Sequence, residues 1–453
     1  MTPVHSNRLV YAITLGLLAA LGPLCIDLYL PALPQMAQDL HTETATAQLS
    51  LTAGLLGLGF GQLLFGPMSD KFGRLRPLTL SLVLLFIASM GCALAQDINQ
   101  LLLARLFEGL AGAGGAVLSR AIARDMYSGH ELTRFFALLM LVNGLAPIGA
   151  PVLGGVLMTI LNWRGIFMVL GGIAILLILL ARWKLHETLP EARRSKGSIF
   201  SAYAALGQVI THRPFMGFCL TQGFMMSGMF AYIGASPFVL QQLYGLSPQA
   251  FSFCFAANGF GLVIASQTSA RLCPLWGEYR VLKGGLTLAF VASSLLLLAA
   301  LLHAPLALLL VALFFTIASN GVIATTASSL AMQSQGHRAG SASAVIGVTM
   351  FTLGAITVPI TGIGGTSVLS MCATIFGCFM TAILMFSVLA KKTAAAGKNS
   401  LISQRFMVIS YRFGLLFSQR HVSFNKTFAS SRPATDLRRS SCHCSRKLLK
   451  PWV

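Results

Sequence analysis

Three ionisable side chains, Asp27, Arg105 and Glu108, lie inside long apolar runs of this 453-residue chain. A lone charge in such a run is costly in lipid, so residues of this kind face a cavity, pair with each other and mark paths for ions or protons. Arg105 and Glu108 are three residues apart, which places them on one face of a helix. A carboxyl changes acidity as a guanidinium approaches or withdraws. The pattern fits reversible proton uptake at Asp27, with Glu108 as a second acid and Arg105 as the tuning cation. A static ion pair that only helps packing is the competing reading. No phosphate-binding Gly-rich loop, no His-Glu-x-x-His and no Gly-x-Ser-x-Gly occurs, so ATP hydrolysis and hydrolytic catalysis have no apparatus. The chain is therefore expected not to be an enzyme, to need no cofactor and to draw its energy from a proton gradient. No metal site is expected, because Cys442-His443-Cys444 lacks the second ligand pair of a closed zinc site. The other seven cysteines lie in or beside apolar runs and read as small fillers.

These side chains need helices to hold them. Hydrophobic residues make up 55% of the chain and charged residues 10%, with a mean hydropathy of +0.77, which leaves too little polar surface for a soluble globule. Apolar runs of roughly 20 residues match a hydrocarbon core of about 30 Å, and in lipid they must be helical. Twelve spans are read at 9–30, 49–65, 78–95, 101–122, 135–160, 166–183, 215–240, 251–270, 281–301, 306–330, 342–363 and 368–389. The longest break, at 184–214, divides them six and six. The expected organisation is a six-helix half at 1–184, a linker at 185–213, a second half at 214–391 and a basic tail at 392–453, expected to be disordered. At 1.5 Å per residue, Asp27 lies about 27 Å from the entry of its span and Arg105 about 6 Å inside its own, so both fall in the same half of the bilayer.

Lys and Arg crowd alternate loops, including Lys71, Arg74, Arg76, Arg120, Arg124, Arg271, Arg280 and Lys283, while Arg164 is the one clear basic residue in the others. Positive loops stay inside, so both termini are expected in the cytoplasm. The net charge of +20 divides into +11 for residues 1–400 and +9 for residues 401–453, with Asp436 the only acid of the latter. Basic loops beside anionic lipid account for it, and nucleic acid is not an expected partner.

Between the second and third runs stands Gly66-x-x-x-Asp70-x-x-Gly73-Arg74, which resembles the loop signature of the major facilitator superfamily. Gly66 and Gly73 suit close approach in a tight turn, and Arg74 can pair with a carboxylate, for which Asp125 is the candidate. The role implied is a conformational latch. Gly59-Phe60-Gly61 recurs as Gly259-Phe260-Gly261, a spacing that sets Asp70 opposite Ala270 and supports a duplicated design. Arg105-Leu106-Phe107-Glu108-Gly109, then Pro147-Ile148-Gly149-Ala150-Pro151-Val152-Leu153-Gly154-Gly155, then Trp163-Arg164-Gly165-Ile166-Phe167 resemble the signatures of twelve-span drug:proton antiporters. Asp27-Leu28-Tyr29-Leu30-Pro31 and Glu187-Thr188-Leu189-Pro190 are similar to the bicyclomycin and chloramphenicol resistance branch. Two positions differ from that pattern: Glu108 stands where Gln is usual and Ala150 where Gly is usual.

The resemblance implies an all-α membrane protein of the inner membrane, a monomer that expels drug-like molecules against protons by alternating access. Pro147, Pro151, Gly154 and Gly155 are expected to bend the fifth span. Asn143, Gln222, Met226, Phe230, Tyr232, Asn258 and Asn320 are candidates for the substrate cavity. An exporter of a natural amino acid, peptide or sugar is a second reading, and a transport-dead receptor or scaffold a third.

Overall fold

The computed structural model describes residues 8–127, 129–194, 206–207, 209–335 and 339–390. The tail, most of the linker and the Asn143 side chain lie outside the described residues. Among the described residues there is no strand, and twelve long helices carry the chain. They are α1 (Arg8–Asp27), α2 (Thr44–Phe72), α3 (Leu75–Leu94), α4 (Ile98–Met126), α5 (Gly129–Leu157), α6 (Trp163–Lys184), α7 (Arg213–Phe238), α8 (Pro248–Trp276), α9 (Glu278–Leu301), α10 (Leu306–Gln333), α11 (Ala339–Thr357) and α12 (Val368–Met385).

Local chemistry sets the ends. Asp97, Asn162, Ser247 and Ser367 each accept a backbone N–H from three residues on, capping α4, α6, α8 and α12. The first helix stops at Asp27, short of residue 30, because Pro31 cannot donate a helical hydrogen bond; a 3-10 turn at Leu30–Ala32 and a short helix at Leu33–Asp39 continue the path. Gly73 and Gly277 end α2 and α8 at φ +88° and +83°, a conformation that strains any residue with a Cβ.

Those two glycines also correct the internal register. Helices α2 and α8 each have 29 residues, and both close on a positive-φ glycine, so equivalent positions are 204 apart (277 − 73). Pro274 stands opposite Asp70, and Glu278 opposite Arg74. The tripeptide match at 200 misses by one helical turn, which keeps the same face and so reproduces the same glycine pattern.

Packing repeats with the same period. In the first six helices α2 and α3 pack on α4, α3 packs on α6, and α1 packs on α4, α5 and α6. In the last six α8 and α9 pack on α10, α9 on α12, and α7 on α10, α11 and α12. The halves meet through α2 with α11 and α5 with α8. Small residues set the closest approach: a Cβ at Gly57 would collide with the Leu106 carbonyl, and one at Gly109 with the Gly54 carbonyl, so α2 and α4 touch backbone to backbone.

Candidate functional site

The membrane-embedded charges sit where α1, α2, α3 and α4 converge. Arg105 and Glu108 are both 0% exposed and form an ion pair across one turn of α4. Arg105 Nη1 also donates to the Cys25 carbonyl at 2.8 Å, Nε reaches the Ser50 carbonyl at 3.4 Å, and the guanidinium stacks 4.2 Å from the Tyr29 ring. It is thus fastened to α1 and α2 as well as to its own helix. Glu108 accepts from Ser89 Oγ at 3.1 Å and from Cys92 Sγ at 3.8 Å, both on α3. Gly54 makes room for the cation, since a Cβ there would lie 2.9 Å from Nη2. That Nη2 is buried without a hydrogen-bond partner.

Asp27 stands apart from this pair. It is 4% exposed, its Oδ1 has no hydrogen-bond partner, and no cation within ion-pair distance faces it among the described residues. Arg105 reaches the same stretch of α1, but through the backbone of Cys25. Tyr29 completes the surroundings, sharing a hydrogen bond of 3.1 Å with Ser50. Sequence reasoning reached Tyr29 only as a mark of resemblance, read Cys92 as a small filler, and missed Ser50 and Ser89, which have no charge to mark them.

A second charge cluster lies at the α2–α3 corner. Arg74 donates from Nε to Asp125 at 2.8 Å, and from Nη1 to Asp70 at 2.6 Å and Ser69 at 2.8 Å. Burial works against the Arg74 charge, but its bonds to Asp125 and Asp70 outweigh that and raise its pKa above the usual guanidinium value. Behind it, Glu187 accepts the backbone N–H of Arg74 at 2.9 Å and of Leu75 at 3.2 Å, while Thr188 donates to Asp125 at 3.2 Å. Partial burial pushes the Glu187 carboxyl up, but the N–H groups of Arg74, Leu189 and Leu75, with the charge of Arg194, outweigh it and hold the carboxyl below its usual range. Gly73 is required here by its φ of +88°, and a Cβ would also lie 2.6 Å from Glu187 Oε2. Gly66 differs: open space surrounds the place of its Cβ.

At the opposite end the halves are tied by uncharged groups. Gln48 Nε2 donates to the Gly234 carbonyl at 3.1 Å, Thr361 donates to Gln48 Oε1 at 3.3 Å, and Thr52 donates to the Ala355 carbonyl at 2.9 Å. Gln241 donates to the Pro31 carbonyl at 3.1 Å, and Thr44 and Thr366 share a bond of 3.0 Å. Helix α5 runs through Pro147 and Pro151, and its two glycines face different partners: Gly154 abuts the Leu28 carbonyl just beyond α1, and Gly155 abuts Ser252 of α8 and accepts from Gln249 at 3.0 Å. None of these ties was legible from residue types alone.

The cavity candidates fall into separate settings. Tyr232 accepts from Asn258 at 2.8 Å, both buried. Phe230 packs 5.9 Å from Phe351, Gln222 accepts from Ser328 at 2.7 Å, and Met226 is half-buried beside the same apolar cluster. Asn320 is 1% exposed, and neither its Oδ1 nor its Nδ2 has a partner.

Residues 15–359 match the family model of the Major Facilitator Superfamily. The chain belongs to that superfamily. It is 42% identical over 400 residues to an uncharacterized MFS-type transporter, YdgK, of Bacillus subtilis, covering 88% of this chain and 99% of the relative. A bicyclomycin resistance protein homolog of Haemophilus influenzae is 28% identical, with 78% of this chain and 88% of that protein covered. A chloramphenicol resistance protein of Pseudomonas aeruginosa is 32% identical over 60% of this chain and 63% of its own. Among solved structures, the nucleoside transporter NupG superposes with a TM-score of 0.66 at 14% identity, over 83% of this chain and all of that one (100%). A D-xylose–proton symporter superposes at 0.64 and 16% identity, over 83% and 97%. The facilitator chain is accordingly a multi-pass transporter of the inner membrane and not an enzyme.

Proposed function

We propose that this facilitator expels drug-like small molecules from the cytoplasm in exchange for protons, by alternating access. The observation that carries the reading is the buried Asp27 carboxyl with an unpartnered oxygen, next to a stretch of α1 that Arg105 holds by its backbone. An ionised carboxylate so placed costs several kcal/mol without a cation, and a proton removes that charge. Protonation and release at Asp27 therefore differ in free energy with the surroundings, which is what coupling to a conformational change needs. Glu108 is already matched by Arg105, so its part is to hold the guanidinium until α1 moves. The likeness to proteins named for bicyclomycin and chloramphenicol resistance supports a drug-like cargo.

The distribution of ties supports an access cycle. Hydrogen bonds join the halves at the Gln48 end, while open space surrounds Gly66 at the Arg74 end. With the basic loops in the cytoplasm, this arrangement is closed to the outside. In the alternate state Gly66 is the close-approach point and Gln48 releases Gly234.

An efflux panel in cells lacking their main pumps tests the reading, with Asp27→Asn as the control. Drug protection should disappear in the variant while protein level and thermal stability hold, because Asp27 gives up no ion pair. Undiminished proton-driven efflux by Asp27→Asn removes Asp27 from the mechanism. External accumulation of a metabolite without drug protection overturns the cargo assignment.

A further inference from the structure

We propose that the groove between α3 and α6 at the Arg74 end binds an anionic phospholipid. It is walled by Arg76, Thr79, Leu80 and Val83 of α3 and by Arg182 and Leu185 at the end of α6. Arg76, Thr79, Leu80 and Val83 have the i, i+3, i+4, i+7 spacing of a single helix face. Along that face a cation at the first turn gives way to apolar side chains about 6 to 10 Å deeper, at 1.5 Å per residue. Leu80 and Val83 are 56% and 38% exposed, so they meet lipid and not protein. The order matches that of a phospholipid, phosphate above acyl chain.

Charge fixes the class of lipid. Arg76 and Arg182 are both exposed, and among the described residues neither has an acidic partner or a hydrogen bond, whereas Arg74 nearby is paired with Asp70 and Asp125. Two free guanidiniums at one groove mouth suit a phosphodiester without a compensating ammonium, and each can approach it bidentately. Trp183 is 80% exposed with Lys184 5.1 Å over its ring, marking this level as the membrane–water boundary. The site adjoins the corner, since Leu75 lies next to Arg76 and binds Glu187 through its N–H, so an occupied groove stiffens the start of α3.

The test is lipid retention by the purified full-length protein in neutral detergent, measured by native mass spectrometry during titration with phosphatidylglycerol or phosphatidylcholine. Phosphatidylglycerol should be retained in preference. Arg76→Gln with Arg182→Gln should weaken its apparent affinity about thirtyfold, from about 1 kcal/mol per basic residue at 1.4 kcal/mol per decade. Arg271→Gln with Arg280→Gln, which removes the same charge from exposed positions of the second half, should leave it within about twofold. Arg76→Lys with Arg182→Lys keeps the charge and should retain intermediate binding. Equal loss in the two glutamine pairs overturns the site in favour of diffuse attraction. Equal retention of phosphatidylcholine, or displacement of the lipid by inorganic phosphate alone, overturns it as well.

Discussion

The first six helices and their connections hold every charged side chain buried among the described residues, Asp27, Arg74, Arg105 and Glu108, and the last six with their connections hold none. Helix starts at Ile98 and Leu306 align α4 with α10 at a spacing of 208 (306 − 98), which sets Leu313 opposite Arg105 and Thr316 opposite Glu108. Both are buried, and Thr316 satisfies its hydroxyl on the Ala312 carbonyl one turn back. The corner differs in the same sense. The same spacings set Glu278 opposite Arg74 and Gln333 opposite Asp125, and there Glu278 accepts from Gln333 at 2.6 Å and Ser329 at 2.8 Å. Contact pattern is kept while the ion pairs are gone. Helix packing in this fold therefore does not require charge at either place, and under the proposed function the charges kept in one half are the ones that serve coupling.

The largest effect should come from separating the buried pair. Arg105→Leu leaves Glu108 uncompensated and should lower stability by about 3–5 kcal/mol in equilibrium unfolding in mixed micelles. Arg105→Leu with Glu108→Thr copies the second half and should recover most of that loss, while drug efflux stays absent. A double variant no more stable than the single one would show that α4 cannot adopt the uncharged packing of α10.

A middle-sized contrast separates the two corners. Arg74→Ala removes charge-assisted bonds to Asp70 and Asp125, and should cost about 2 kcal/mol after allowance for the exposed Asp70. Glu278→Ala loses bonds to neutral donors only and should cost about 1 kcal/mol. Raising salt should narrow the gap, because only the first corner depends on ion pairs. Equal losses at both corners, unchanged by salt, would remove the distinction drawn between them.

What the sequence revealed follows from which groups carry the contacts. Helix content and the Arg105–Glu108 pair were legible because apolar length and three-residue spacing are local properties. Asp125 as partner of Arg74 was legible because the alternation of spans puts the α2–α3 loop and the end of α4 on one side of the membrane, with opposite charges there. The separation of Asp27 from Arg105 was not, since it depends on how α1 rotates against α4. Glu187 was visible only as a mark of resemblance, because its partners are backbone N–H groups. Gln48 was missed for a similar reason: an uncharged side chain that binds a carbonyl of another helix leaves no pattern. The register error in the repeat arose because a shift of one turn preserves the face that small residues mark.

Glu187 provides the finest test of the asymmetry between corners, because the second half has no acid in its place among the described residues. Its carboxylate caps the start of α3 through the N–H groups of Arg74 and Leu75. Since these bonds hold its pKa in the folded protein below the usual range, the stabilisation is present above the ordinary glutamate pKa and is lost as pH falls through the folded value. Near pH 7, Glu187→Gln should cost about 0.5–1 kcal/mol, the low end for a helix cap because the side chain is exposed. Well below the ordinary value of about 4.3 the wild type is itself protonated, and the two unfolding curves should converge. A Glu187→Gln difference that stays constant from neutral to acid pH would mean that the residue acts by size alone, and the charged corner would then end at Asp125.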